Sequence, residues 1–288
     1  MKNVRRHFAF TLIELLVVIS ILGILAALTV PALKNLGKAN VQTSASRQLL
    51  DGVARARQLA ISDHTTVYMV FVSTNFWLQP NAPLNWLNNL NGSEMTVVSN
   101  LMDKQMSGYN YVAYGALGDQ PGNHQWHYLD AWQTLPQGYL IAPWKFPWTA
   151  PPQAYYFNDS INGNSFKVSP FDYTNTIPFP VADTNTTSLA ALGQMPSVPF
   201  LEFNYLGQLV SSAIDGDLTG GGADIPIAQG SVSYAFDPAT KISVIPNTPL
   251  GAGGVAESPA GNSTNITYNI VHVDPLTGRA TLLFHHVQ

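Results

Sequence analysis

The 288-residue chain has no cysteine, which removes disulfide frameworks, thiolate zinc sites and cysteine nucleophiles together. Charge is nearly as scarce. Asp, Glu, Lys and Arg make up 10% of the residues, where a soluble domain ordinarily carries about 25%. Positive charge is scarcest where a nucleic-acid binder would need it: eight of the thirteen Lys and Arg lie in residues 1–57, and residues 58–288 hold five basic against fifteen acidic side chains. Phosphate neutralisation supplies most nucleic-acid affinity, so an acidic folded part argues against that class. Neither a phosphate-cradling glycine loop with Lys nor a G-x-S-x-G nucleophile elbow occurs. With 46% hydrophobic residues the chain can bury a core, in one large domain or two small ones. Its 22 Gly and 20 Pro suit many turns between short strands better than a helical bundle.

What is present begins at the N-terminus. Lys2, Arg5 and Arg6 precede an almost unbroken apolar run of 24 residues, Phe10 to Leu33. As a helix this run measures about 36 Å against a bilayer core of about 30 Å, so residues 10–33 are read as membrane-spanning. The leading positive charges, with no acid among residues 1–13, keep the N-terminus cytoplasmic and send the remainder across. A cleaved secretory signal has a shorter apolar region, about 7–15 residues; Ala26-Ala27 keeps that alternative open. Glu14 weighs against it. A carboxylate in the apolar run costs a few kcal/mol in a bilayer unless it is partnered, and an export signal has no use for one.

The segment Ala9-Phe10-Thr11-Leu12-Ile13-Glu14-Leu15-Leu16-Val17-Val18-Ile19 resembles the N-terminal cleavage and methylation motif of type IV prepilins and type II secretion pseudopilins. The resemblance implies that a prepilin peptidase removes the leader, residues 1–9, by cutting between Ala9 and Phe10, and then methylates the amine of Phe10. It gives Glu14 a role in filament assembly, as the carboxylate that meets a protonated amine on a neighbouring subunit; pairing makes a buried charge tolerable. Ala9 stands where the family prefers Gly. The implied partners are the prepilin peptidase, other pilins or pseudopilins through helix packing, the inner-membrane assembly platform and membrane lipid. The implied location is the inner membrane, single-pass with a periplasmic C-terminal domain, and later a periplasmic or surface filament. Pro31 matches a proline common in family helices; its missing N–H and ring clash, with Gly23 and Gly37 nearby, predict local bending or melting.

From residue 34 to residue 63 the helical pattern turns amphipathic, with Leu49, Val53, Ala56 and Ala60 recurring at spacings of three and four. Ser62-Asp63-His64 ends it, and Thr66–Val72 reads as a strand. The stretch Leu49–Val72, centred on Ala54-Arg55-Ala56-Arg57, is similar to the GspH/FimT-like minor pseudopilins. Leu201–Gly207 and Asp274-Pro275-Leu276-Thr277-Gly278-Arg279-Ala280 resemble that group's strand with a glycine turn and its terminal hairpin. Further strands are predicted at 208–212, 232–236, 241–245, 266–274 and 279–287. The fold class is therefore α+β: a long N-terminal helix, its first half in the membrane, packed on an antiparallel sheet within a β-rich domain spanning 64–288. One sheet face is expected under the helix and the other wet.

Residues 76–200 differ in composition, holding all six Trp, 21 of 31 aromatic residues and 13 of 20 Pro without a clean helical or strand period. The span is read as a loop-rich aromatic insertion. Trp126, Trp132, Trp144 and Trp148 either build a core or form a face for glycan or protein. No metal or cofactor is expected. His124 and His127 lack further convergent ligands, and His285 and His286 alternate strand faces. Asp215–Gly220 with Asp224 fails the calcium-loop pattern because Pro226 stands where a bidentate Glu belongs. The sequons at Asn262 and Asn265 carry little meaning beside such a leader. The reading is thus a non-enzymatic filament subunit, its minor status implied by the GspH/FimT-like likeness, with a pilin-anchored adhesin or substrate-binding receptor using the aromatic insertion as the alternative.

Overall fold

The computed structural model describes residues 12–79, 86–115, 119, 124–146, 155–159, 164–174, 176–182, 195–210, 221–237, 242–244, 254–263 and 269–284. The leader with Ala9 and Phe10, Trp148, Asp215–Gly220, Asn265, His285 and His286 lie outside them. The chain divides into two compact units, Met1–Ser44 and Ala45–Gln288.

Helix α1, Leu12–Ser62, contributes to both units. It stays helical through Gly23, Pro31 and Gly37, so the melting predicted there does not occur. One proline removes one intrahelical hydrogen bond, which 51 residues of helix tolerate. Among the described residues no helix is long and apolar enough to cross a membrane. The apolar side chains described in succession run from Leu12 to Ala27, about 24 Å of helix against about 30 Å of bilayer core. A membrane-spanning first half, predicted from the longer run Phe10 to Leu33, therefore gains no support from the structure.

In the second unit α1 is followed by β1 (Thr66–Phe71), short 3₁₀ turns, α2 (Gly92–Met102), β2 (Gly108–Tyr114), β3 (Trp126–Tyr128), β4 (Gln133–Thr134) and β5 (Tyr139–Ile141). A hairpin of β6 (Tyr155–Asp159) and β7 (Asn164–Val168) precedes β8 (Asp172–Thr174), β9 (Val198–Phe203) and β10 (Leu209–Val210). The last third supplies β11 (Ala223–Val232), β12 (Ala235–Asp237), β13 (Ile242–Val244), β14 (Val255–Glu257), β15 (Asn269–Val273) and β16 (Ala280–Phe284). The first sheet has the order β10-β9-β1-β2-β3, with β4 added to β2 and β8 to β9. A second has the order β14-β11-β15-β16, with β5 added to β11. Pairing in both is antiparallel, and the fold class is α+β.

The amphipathic half of α1 buries Ala45, Leu49, Val53, Ala56 and Ala60 completely, at the spacing read from the sequence. These residues share one core with Val67, Met69 and Phe71 of β1, Tyr109 and Tyr111 of β2, and Ile225, Ile227, Val271 and Val273 of the second sheet. Gly52 lets the helix sit close: a Cβ there would lie 3.2 Å from Met69 and from Tyr109.

Much of the opposite face of the first sheet is covered rather than wet. Val70 of β1 and Val112 of β2 sit in a second core with Phe76, Trp77, Trp86, Val98, Phe179 and Val198. Most of this cover comes from residues 76–200, so that span is less loop-rich than its sequence suggests: it contains α2, β2 and several shorter strands. Burial on both faces erases the alternation that marks a half-exposed strand. Asn91 caps α2 in a reciprocal box, accepting from the Glu94 N–H at 2.9 Å while the Glu94 carboxylate accepts from the Asn91 N–H at 2.7 Å.

Candidate functional site

Two sets of residues picked out from the sequence acquire geometry. The first is the opening of α1. From Leu12 to Ala27 every side chain is exposed, on all sides of the helix; Leu12 is 82% and Ile24 62% accessible. Glu14 lies in the first turn of the described helix. Two hydroxyls in and just beyond this stretch bond back to the helix's own backbone. The Ser20 hydroxyl donates to the Leu16 carbonyl at 2.8 Å and the Thr29 hydroxyl to the Leu25 carbonyl at 2.9 Å, the back-bonding that suits surroundings without water. A helix apolar on every side is of the kind that apolar surroundings enclose.

The second set joins three segments distant in sequence. The Arg57 side chain donates through Nε to the Thr277 carbonyl at 2.6 Å. Gly207 and Gly278 meet so closely that a Cβ on Gly278 would fall 2.0 Å from the Gly207 carbonyl oxygen, and both have φ values, +76° and +61°, that favour glycine. The Leu209 N–H donates to the Pro275 carbonyl at 3.1 Å. The Asp274 carboxylate caps the hairpin turn, accepting from the Thr277 hydroxyl and N–H, each at 2.7 Å. The bond from the Thr277 hydroxyl, reinforced by the N–H, lowers the Asp274 pKa. The alanine-arginine helix, the strand with its glycine turn and the terminal hairpin thus form one junction. Arg55 turns elsewhere and pairs with Asp130 at 3.0 Å.

Residues 4–30 match the family model described as the prokaryotic N-terminal methylation motif. That motif supports a pilin-like or pseudopilin subunit. No curated protein and no solved structure matches the chain.

The remaining candidates scatter. His127 lies 3.2 Å from an Asp119 carboxylate oxygen, whereas His124 packs against the Tyr114 ring. No group of three or more His, Asp or Glu side chains suited to a metal occurs among the described residues. Asp224, considered above as part of an acidic loop, is instead fully buried in β11, 2.7 Å from His272 of β15. Cross-strand register makes the pair, Asp224 opposite His272, and residues 48 apart carry no local signal of it. The aromatic residues are largely structural: Trp77 and Trp86 are buried, the Trp132 indole donates to the Pro180 carbonyl at 3.3 Å, and the Tyr128 hydroxyl donates to the Pro178 carbonyl at 2.8 Å. The Trp144 indole donates to the Ser263 hydroxyl.

Proposed function

We propose that the chain is a precursor of a minor, GspH/FimT-like subunit of a type II secretion pseudopilus or type IV pilus-like filament. A prepilin peptidase cuts between Ala9 and Phe10 and methylates Phe10. The first half of the helix holds the subunit in the inner membrane, with the β-rich domain in the periplasm, until the assembly platform transfers it into the filament. There Glu14 pairs with the amine of a neighbouring subunit. The role is structural and not enzymatic. The observation that carries this reading is the helix opening at Leu12–Ala27, apolar on every side and bearing one carboxylate in its first turn. Lipid before assembly and neighbouring helices after it provide the apolar surroundings such a surface demands, and a paired partner makes the carboxylate tolerable in both. The junction of Arg57, Gly207 and Thr277-Gly278 supports the finer assignment, because the three segments that resemble GspH/FimT-like proteins work as one unit of packing.

Co-expression with a prepilin peptidase and sequencing of the mature N-terminus tests the proposal. Methylated Phe10 is the expected product; an intact precursor, or a cut near Ala27, overturns it.

A further inference from the structure

A cleft opens beside the end of β2 where Gly108 is paired with Thr134 of β4, the end away from the pairing of Tyr114 with Trp126. Its volume is about 490 Å³, inside the range of about 300–1,000 Å³ usual for small-molecule sites. Three walls enclose it: the turn from α2 into β2, the connection from β4 into β5, and the C-terminal end of β11 with Tyr234 just beyond. Among the described residues no tryptophan lines it.

The walls are tied together through their backbones. The Leu135 N–H donates to the Ser107 carbonyl at 3.0 Å, and the Gly230 N–H to the Gly138 carbonyl at 2.9 Å. Within the first wall the Lys104 carbonyl accepts from the Ser107 and Gly108 N–H groups, at 3.1 and 2.6 Å. A Cβ on Gly108 would lie 2.9 Å from that carbonyl, so the turn is tight. The cleft therefore stands formed before anything enters it, which removes an ordering cost from binding.

Its side chains are not used in holding the fold. Among the described residues no hydrogen bond or ion pair engages the side chain of Asp103, Lys104, Gln137, Ser231 or Tyr234, all of which line the cleft. Tyr234 is half-buried and packs against the rim of the first core. Burial first and the Asp103 charge second push its phenol up to about 12, so carboxylate and phenol address the same space. A carboxylate only accepts hydrogen bonds and an ammonium only donates them. An anion would be opposed by Asp103 and a cation by Lys104, and an apolar molecule would strip water from both without replacing it. Hydroxyl groups donate and accept at once. A molecule rich in hydroxyls and without net charge serves both residues, Gln137 and Ser231 offer it partners of either kind, and Leu135, Val232 and Tyr234 give its carbon skeleton an apolar surface.

We propose that this cleft binds a neutral saccharide, held by Asp103, Lys104, Gln137 and Ser231. The site is built without the N-terminal helix, so its failure would leave the filament reading untouched.

The test is calorimetric titration of the full chain in a sugar-free polyoxyethylene detergent. The probes are cellobiose, maltose, lactose and diacetylchitobiose, set against sodium acetate, tetramethylammonium chloride and glycine betaine. Saturable binding of at least one disaccharide is expected, weakened about tenfold or more in Asp103→Ala and in Lys104→Ala. Both variants should unfold like the parent; Asp103→Asn and Lys104→Gln, which keep the side-chain shape, should weaken binding in the same direction. Trp126→Phe, at the other end of β2, should bind as the parent does. No saturable binding by any of the four disaccharides, undiminished binding by either folded alanine variant, loss of binding in Trp126→Phe, or tighter binding of acetate, tetramethylammonium or betaine than of every disaccharide overturns the proposal.

Discussion

Two stretches of the same helix show how one secondary structure serves two surroundings. Leu12–Ala27 exposes apolar side chains on every side, whereas Ala45–Ala60 presents a single apolar stripe and buries it completely. Each stretch is helical throughout, so backbone conformation does not distinguish them. The distribution of apolar residues does. A stripe at spacings of three and four is complementary to a sheet face of the same chain, while an all-round apolar surface offers no single face to such a sheet; in the proposed function lipid or other subunits cover it.

The largest effect that would break this comparison comes from Glu14. Glu14→Ala should lower incorporation into filaments by about two to four orders of magnitude, because removing one member of the proposed buried pair leaves an uncompensated charge worth about 3–5 kcal/mol. Unfolding of the β-rich domain should be unaffected. Filament yield, read beside a denaturation curve of the same variant, checks both halves of the statement; normal incorporation would show that this carboxylate does not direct assembly.

Leucine truncation sharpens the contrast next. Leu49→Ala empties a fully buried site in the first core and should cost the domain about 2–5 kcal/mol. Leu16→Ala, at an exposed site in the first stretch, should leave that transition within about 0.5 kcal/mol of the parent. Chemical denaturation followed by far-ultraviolet circular dichroism distinguishes them, and equal losses would place both leucines in one cooperative core.

The turn junction comes third. Gly278→Ala forces a side chain against the Gly207 carbonyl at positive φ and should cost about 1–3 kcal/mol, with Arg57→Lys a milder loss of one hydrogen bond. Thermal unfolding of the two variants gives the ranking. If Gly278→Ala unfolds like the parent, the contact between the two turns contributes nothing to the fold.

The smallest effects are two pH dependences of opposite sign. The Asp274 pKa is lowered on folding from its ordinary 3.8, so its contribution is present above that value and is lost as pH falls through the lower, folded value. The Glu202 pKa is raised from its ordinary 4.5 by burial first and then by the nearby Asp172, so folding is relatively favoured as the pH drops and disfavoured once the carboxyl ionises. Asp274→Asn should therefore flatten the acid limb of the stability profile, and Glu202→Gln should stabilise the domain at neutral pH. The reverse order of signs, measured by urea midpoints between pH 3 and pH 7, would contradict the assigned surroundings.

Legibility from sequence followed the range of the interactions. The buried stripe of α1 and the start of β1 are visible because one periodic face packs locally on the next element. The hairpin at Pro275–Gly278 is visible because its turn residues satisfy one another, Asp274 through Thr277. β2 is obscured because Tyr109 and Tyr111 face one core and Val112 the other, which removes any polar alternation. β11 is obscured by Pro226, which suggests a turn. The strand tolerates it because the Pro226 carbonyl accepts from the Ala142 N–H just beyond β5. The missing donor therefore falls at the end of that pairing. The Asp224–His272 pair and the cleft beside β4, β5 and β11 depend on register between strands far apart in the chain, and no spacing within one segment reports it.

By itself the sequence determined the N-terminal motif, with Ala9, Phe10 and Glu14 in their places, and the all-round apolar opening of the helix, because both are properties of neighbouring residues. The tertiary structure decided that the first sheet carries a core on each face, that Trp77, Trp86 and other described aromatic residues are core, and that Arg57, Gly207 and Thr277-Gly278 form one junction. Those outcomes rest on contacts between segments up to 220 residues apart, and which distant surfaces meet depends on how all the elements pack together.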